Sequence, residues 1–173
     1  MTDFRLRFPL RDIGFWAERY SNPSEDLVAS SIAPPARARG YLTRAEFLTL
    51  CQWKTPRTRA RCATNDASFV RAVTRVALST SDERLAIEVL TLLNGVSWPT
   101  ASAILHFCAR KPYPVLDFRA LWSLSVRQPS AYAFPLWAAY TAFTRALAER
   151  AGVPMRTLDR ALWQYSKERQ PAA

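Results

Sequence analysis

The chain has 173 residues, 49% of them hydrophobic and 22% charged; that size and balance suit one soluble globular domain and exclude a disordered or fibrous protein. Its 24 basic residues against 14 acidic ones give a formal net charge of +10, which points to a polyanionic partner, nucleic acid first, because a positive field concentrates phosphate-bearing ligands. Only Lys54, Lys111 and Lys167 are lysines; the arginine preference fits bidentate phosphate contact and equally a compositional bias of the genome, although such a bias leaves the excess over Asp and Glu unexplained.

Residues 1–40 carry many turn signals, among them Pro9, Asn22-Pro23, Pro34-Pro35 and Gly40, so this stretch reads as an N-terminal arm with only short helices such as 12–20. From residue 41 to 173 the pattern predicts a helical domain. Thr43 caps a helix whose Glu46 completes a capping box, with Phe47, Leu50, Cys51 and Lys54 on one face. A basic loop with Arg57, Arg59 and Arg61 follows. Asp66 caps the next helix, with Phe69, Val70, Val73 and Ala77 recurring at helical spacing, and Ser81 begins another that turns Leu85, Val89 and Leu92 or Leu93 inward. Pro99 takes the first position of a helix running to about Ala109, after which 111–114 is extended. Asp117 caps a helix through Leu124, a longer helix spans about 134–150, Gly152-Val153-Pro154 stops it, and a last helix covers about 155–167. No segment alternates as a strand would, so the expected fold is all-α, a single compact helical array.

Cys51, Cys62 and Cys108 are too few and too dispersed for a metal or iron-sulfur framework and read as reduced core thiols. The opening MTDFRLRFPL lacks the apolar stretch of a signal peptide, and no uncharged apolar run is long enough to cross a bilayer. The expectation is therefore a cytoplasmic, nucleoid-associated monomer that needs no cofactor or metal and does not engage a membrane.

The most informative stretch runs from Leu93 to Leu105. Gly95 can end one helix in a left-handed conformation and Pro99 starts the next within four residues, which makes a tight helical hairpin. The second helix begins with unpaired amides and the positive end of its dipole, a combination that favours a phosphate. Leu93, Gly95, Val96, Thr100 and Ala101 resemble the hairpin of the helix-hairpin-helix DNA glycosylase superfamily, which includes the endonuclease III-like repair enzymes. That family places an essential aspartate one short helix and one extended link further on, and Leu116-Asp117-Phe118-Arg119 stands at that spacing. The resemblance is clearest from Leu85 to Leu124, with the hairpin at about 85–109.

The resemblance implies double-stranded DNA as partner, Gly95, Val96, Ser97, Trp98 and Thr100 as the strand grip, and Asp117 as the catalytic carboxylate. It departs at three places: Asn94 replaces the usual proline, Ser97 the second glycine, and Pro99 the Schiff-base lysine of bifunctional members. Proline has no amine, so the resemblance favours a monofunctional N-glycosylase, with Lys54 the remote alternative source of an amine. The plainer reading of Asp117 is a helix cap worth about 1 kcal/mol. Trp98 or Tyr113 could wedge into the duplex or line the base pocket, or simply fill the core, and Trp53 could add a pocket wall or belong to a solvated basic loop. Lys54, Arg57, Arg59 and Arg61 would add phosphate contacts, or form a solvated basic loop. Arg119 would pair with Asp117 or bind phosphate, and His106 reads as a packed residue. A non-catalytic DNA-binding module of the same fold is the alternative to an enzyme; a protein-binding helical scaffold would leave the charge unexplained.

Overall fold

A computed structural model describes residues 2–171. Among them every regular element is helical, and no strand occurs, so the all-α expectation holds. The described residues divide into two compact units, one made of residues 22–112 and the other of residues 2–21 together with 113–171.

The unit of residues 22–112 opens with α2 (Pro23–Leu27), which passes through a π-helical stretch (Val28–Ile32) directly into α3 (Ala33–Arg39). Val28, Ile32, Ala33 and Ala36 are buried. This segment thus forms helix where the sequence suggested turns, with Pro34 and Pro35 in the first turn of α3 directly after the π-helical stretch. Gly40 closes α3 in the left-handed region at φ 78°.

In α4 (Arg44–Lys54) the expected capping box is present: Thr43 Oγ1 accepts from the Glu46 amide and Glu46 Oε2 accepts from the Thr43 amide. Phe47, Leu50 and Cys51 are buried. The expected basic loop is instead two short helical turns, Pro56–Thr58 and α5 (Arg59–Cys62), since Pro56 opens a turn that the following residues continue. Helix α6 (Ala67–Ser79) buries Val70, Val73 and Ala77 but leaves Phe69 exposed, and Asp66 stands at its N-cap without a side-chain capping bond. Helix α7 (Glu83–Leu90) starts two residues later than Ser81 suggested, because the Asp82 carboxylate accepts from both the Arg84 and Leu85 amides. Its inward residues are therefore Ala86, Ile87 and Leu90, while Leu85 faces outward.

Helix α8 (Trp98–Cys108) is the axis of this unit. All its residues from Thr100 to Leu105, with Phe107 and Cys108, are buried, as a helix packed on every side requires. It begins one residue earlier than expected, placing Pro99 second. The three cysteines are buried free thiols, as anticipated; burial pushes Cys108 up to about 12 and raises Cys51 further, so neither ionises readily.

In the other unit, α1 (Ile13–Glu18) packs along α11 (Met155–Arg169), and α11 also contacts α9 (Phe118–Ser123) and α10 (Phe134–Ala151). The N-terminal segment is bound in by backbone hydrogen bonds from Arg5 to Leu124 and from Arg7 to Ser123. Phe8, Trp16 and Tyr165 form one ring cluster, with centroids 4.6 to 6.2 Å apart. Arg19 forks onto Glu168 through two 2.9 Å hydrogen bonds. Gly152 at φ 64° ends α10.

Candidate DNA-binding hairpin and active-site carboxylate

The hairpin lies in the unit of residues 22–112. After α7 the chain turns through Leu93 and Val96, joined by a 3.0 Å backbone bond, to the N-cap Ser97. Gly95 is required here for two separate reasons. Its φ of 81° is left-handed, and a Cβ at this position would lie 2.7 Å from Cys62 Sγ and 2.9 Å from the Cys62 amide nitrogen. Sequence reasoning anticipated the first reason only.

Asn94, where the resembling family has proline, fastens the turn. Its amide donates to Asn65 Oδ1 at 2.8 Å, its carbonyl accepts from Asn65 Nδ2 at 2.9 Å, and its own Nδ2 donates to Thr64 Oγ1. Asn65 is buried and donates further to the Cys62 carbonyl. No sequence pattern singled out Asn65, although an amide side chain can copy the donor and acceptor of a backbone pair. Thr100 joins the hairpin to the basic turns through its hydroxyl contact with Thr55 at 3.1 Å.

The fold thus brings together Gly95, Val96, Ser97, Trp98 and Thr100 with the segment from Lys54 to Arg61. Ser97 is exposed, Trp98 half-buried, and Val96 buried. Ser97 makes no side-chain capping bond, so the first turn of α8 lacks the usual internal acceptor. Arg57, Arg59 and Arg61 are exposed and Lys54 is half-buried. Trp53 is half-buried and sets its ring edge-on against Phe107, 5.1 Å between centroids. His106 also meets Phe107 edge-on, consistent with a packing residue.

Asp117 lies in the other unit, at the N-cap of α9, with Oδ1 accepting from the Arg119 amide at 2.9 Å. It is half-buried. The extended residues before it are held from two helices. The Asp159 carboxylate of α11 accepts from the Val115 amide at 3.2 and 3.3 Å, and the Tyr140 hydroxyl of α10 donates to the Val115 carbonyl at 3.0 Å. Both backbone polar groups of Val115 are thereby satisfied in a buried setting, and the chain two residues ahead of Asp117 is fixed.

Tyr140 is raised well above its ordinary value by burial, then by the charges of Asp159 and Asp117. Burial and then Asp117 raise Tyr132. Tyr132 is half-buried, and this dependence puts its phenol within electrostatic range of Asp117. Sequence reasoning passed over Tyr132, Tyr140 and Asp159; the signal available was Asp159, an acid between Leu158 and the buried pair Ala161 and Leu162. Burial lowers Arg156, one turn before Asp159, to about 10, with Asp159 opposing the fall.

Two more of the anticipated residues have aromatic neighbours. Tyr113 is buried, stacked on Trp137 at 5.6 Å with the Arg145 guanidinium 4.7 Å from its ring, which makes it part of the unit's packing. The Arg119 guanidinium lies over Phe118 and Trp163, at 5.1 and 5.5 Å, and not against the Asp117 carboxylate.

Among the described residues no group of three or more His, Cys, Asp or Glu side chains could hold a metal ion. Nor is any described helix long and apolar enough to cross a membrane.

The all-helical fold is shared with a solved DNA glycosylase. A crystal structure of the Methanocaldococcus jannaschii 8-oxoguanine glycosylase/lyase in complex with 15mer DNA containing 8-oxoguanine is similar to this chain, with a TM-score of 0.53, 17% identity, and 94% of this chain and 82% of that one covered. A second structure, of the 8-oxoguanine DNA glycosylase of the same organism, has a TM-score of 0.48 and 16% identity over 91% of this chain and 77% of that one. No protein-family model matches the chain, and no curated protein matches it by sequence.

Proposed function

We propose that the protein is a monofunctional DNA N-glycosylase of the helix-hairpin-helix type. The observation that carries this reading is Asp117, a half-buried carboxylate at a helix mouth on a backbone held by Asp159 and Tyr140, in a chain whose fold is shared with a DNA glycosylase/lyase. A rigid mount keeps a charged group aimed without reorganisation during reaction, which is what electrostatic catalysis needs.

In the proposed reaction the bond from C1′ of the sugar to the base nitrogen breaks, and its electron pair leaves with the base, which takes up a proton. The Asp117 carboxylate stabilises the positive charge that develops on the sugar. A water oxygen then bonds to C1′ and gives its proton to the carboxylate, which releases it to solvent, balancing the proton that the departing base takes from solvent. The product is an intact strand with an abasic site. Pro99, second residue of α8, has no amine, which favours hydrolysis over an imine-forming lyase step. Gly95, Ser97 and Trp98 grip the backbone on a turn that the buried Val96 and Thr100 hold in place, Arg57, Arg59 and Arg61 add phosphate contacts, and Tyr132 is the aromatic candidate for meeting a displaced base.

The test is an excision screen on duplexes containing 8-oxoguanine, uracil, alkylated purines, other oxidised bases and modified cytosines, run with the parental protein and Asp117→Asn. Excision of one base class that Asp117→Asn abolishes is the expected result. Duplex binding with no excision anywhere in the panel overturns the enzyme reading in favour of a binding module.

A further inference from the structure

We propose that α6 carries a second phosphate-contacting surface for duplex DNA, built from Arg71 and Arg75 around Tyr41 and separate from the hairpin and its basic turns. The proposal rests on the reading of the protein as a DNA binder and adds to it a second point of attachment.

Tyr41, just ahead of α4, is ringed by three arginines. The guanidinium carbons of Arg39, Arg71 and Arg75 lie 5.0, 5.4 and 5.0 Å from its ring centroid. Arg39 has a carboxylate partner, Glu46, at 2.5 Å. Arg71 and Arg75 are exposed and pair with no carboxylate among the described residues. They stand four apart on α6, hence on one face, where like charges oppose each other. A site that gathers two uncompensated cations on one aromatic ring gains when an external anion joins it.

The chemistry favours phosphate as that anion. A ring holds the guanidinium in place and leaves its N–H fork for an acceptor, so less freedom is lost when a phosphate binds. Arginine forks match phosphate oxygens bidentately. The location favours a duplex. Asn65, immediately ahead of the α6 N-cap, is hydrogen-bonded to Asn94 in the hairpin turn, and at about 1.5 Å of rise per residue Arg71 and Arg75 follow Ala67 by about 6 and 12 Å along the helix. A duplex turn is about 34 Å, so both arginines lie within less than half that length of the start of α6.

The decisive measurement is the salt dependence of binding to an undamaged duplex two helical turns long, by fluorescence anisotropy, for the parental protein, Arg71→Gln/Arg75→Gln and Arg11→Gln/Arg150→Gln. The last variant removes the same charge from exposed positions of the other unit. Circular dichroism melts verify that all three are folded. Each lost phosphate contact lowers the slope of log affinity against log salt by about 0.9, so Arg71→Gln/Arg75→Gln is expected to flatten it by about 1.8, and the control to leave it near the parental value. An unchanged slope in Arg71→Gln/Arg75→Gln, or equal flattening in the control, overturns the second surface while the DNA-binding reading stands. A parental protein with no salt-dependent duplex binding overturns both.

Discussion

Replacing Gly95 by alanine tests the hairpin at its most constrained atom. At φ 81° a residue with a Cβ is disfavoured by about 1 to 2 kcal/mol. The new methyl would also sit 2.7 Å from Cys62 Sγ, 2.9 Å from the Cys62 amide nitrogen and 3.1 Å from the Thr58 carbonyl oxygen. Two of those three atoms are backbone, so the clash cannot be relieved by rotating a side chain, and overpacking of this kind typically costs about 1 to 3 kcal/mol. Gly95→Ala should therefore destabilise by about 2 to 5 kcal/mol, which for a chain of this size lowers Tm by about 4 to 20 °C. Duplex affinity of the folded protein should fall as well, since the turn must move away from Cys62 and with it the start of α8. Scanning calorimetry and anisotropy read the two effects. The double variant Gly95→Ala/Cys62→Ala removes the sulfur but neither the backbone contacts nor the φ penalty, so it should recover part of the loss that the two single changes sum to. A Gly95→Ala protein that melts and binds like the parent would refute this account of the hairpin.

Other consequences follow from the same geometry. Asp117→Asn keeps a capping oxygen for the Arg119 amide, so Tm should shift little and duplex affinity should hold or rise, while single-turnover excision falls by about 10²- to 10⁴-fold or more; parental excision rates would reduce Asp117 to a helix cap. Tyr140→Phe removes the hydroxyl that donates to Val115 and should cost about 1 kcal/mol in denaturant unfolding; no change would mean the extended segment is held by other contacts. Borohydride should trap no covalent complex with duplex substrate, and an efficient adduct would direct attention to Lys54 as the amine.

Much of the fold was legible in the sequence because helix starts are written locally. Thr43 with Glu46, and Asp117 ahead of Phe118, are caps whose partners lie within three residues, so pattern and geometry agree. The start of α7 was misread by two residues because Ser81 and Asp82 can both cap, and only the amides of Arg84 and Leu85 decide between them; that shift rotates the buried face from Leu85 to Ala86 and Ile87. The prolines at 34 and 35 signal a turn or a first helical turn equally well, and burial of Val28, Ile32 and Ala36 selects the second. Tertiary roles were less legible. Nothing near Asn65 in sequence announces that it copies a backbone pair for Asn94, and Tyr113 beside prolines gave no sign of stacking on Trp137.

The hairpin and the carboxylate belong to different units of the chain, and this separates the two halves of the proposed activity in a way that variants can expose. Affinity for undamaged duplex should respond to Gly95, Asn94 and the arginines of residues 22–112. The rate of bond breaking should respond to Asp117 and to the groups that hold its backbone, Asp159 and Tyr140, which lie in the other. Asp117 caps α9 through the Arg119 amide, a role that the binding-module reading also accommodates. A helix cap could have been supplied by asparagine, serine or threonine at little cost in stability. On the proposed reading, what distinguishes an aspartate here is its charge, and the Asp117→Asn comparison of cap stability with excision rate separates the two roles.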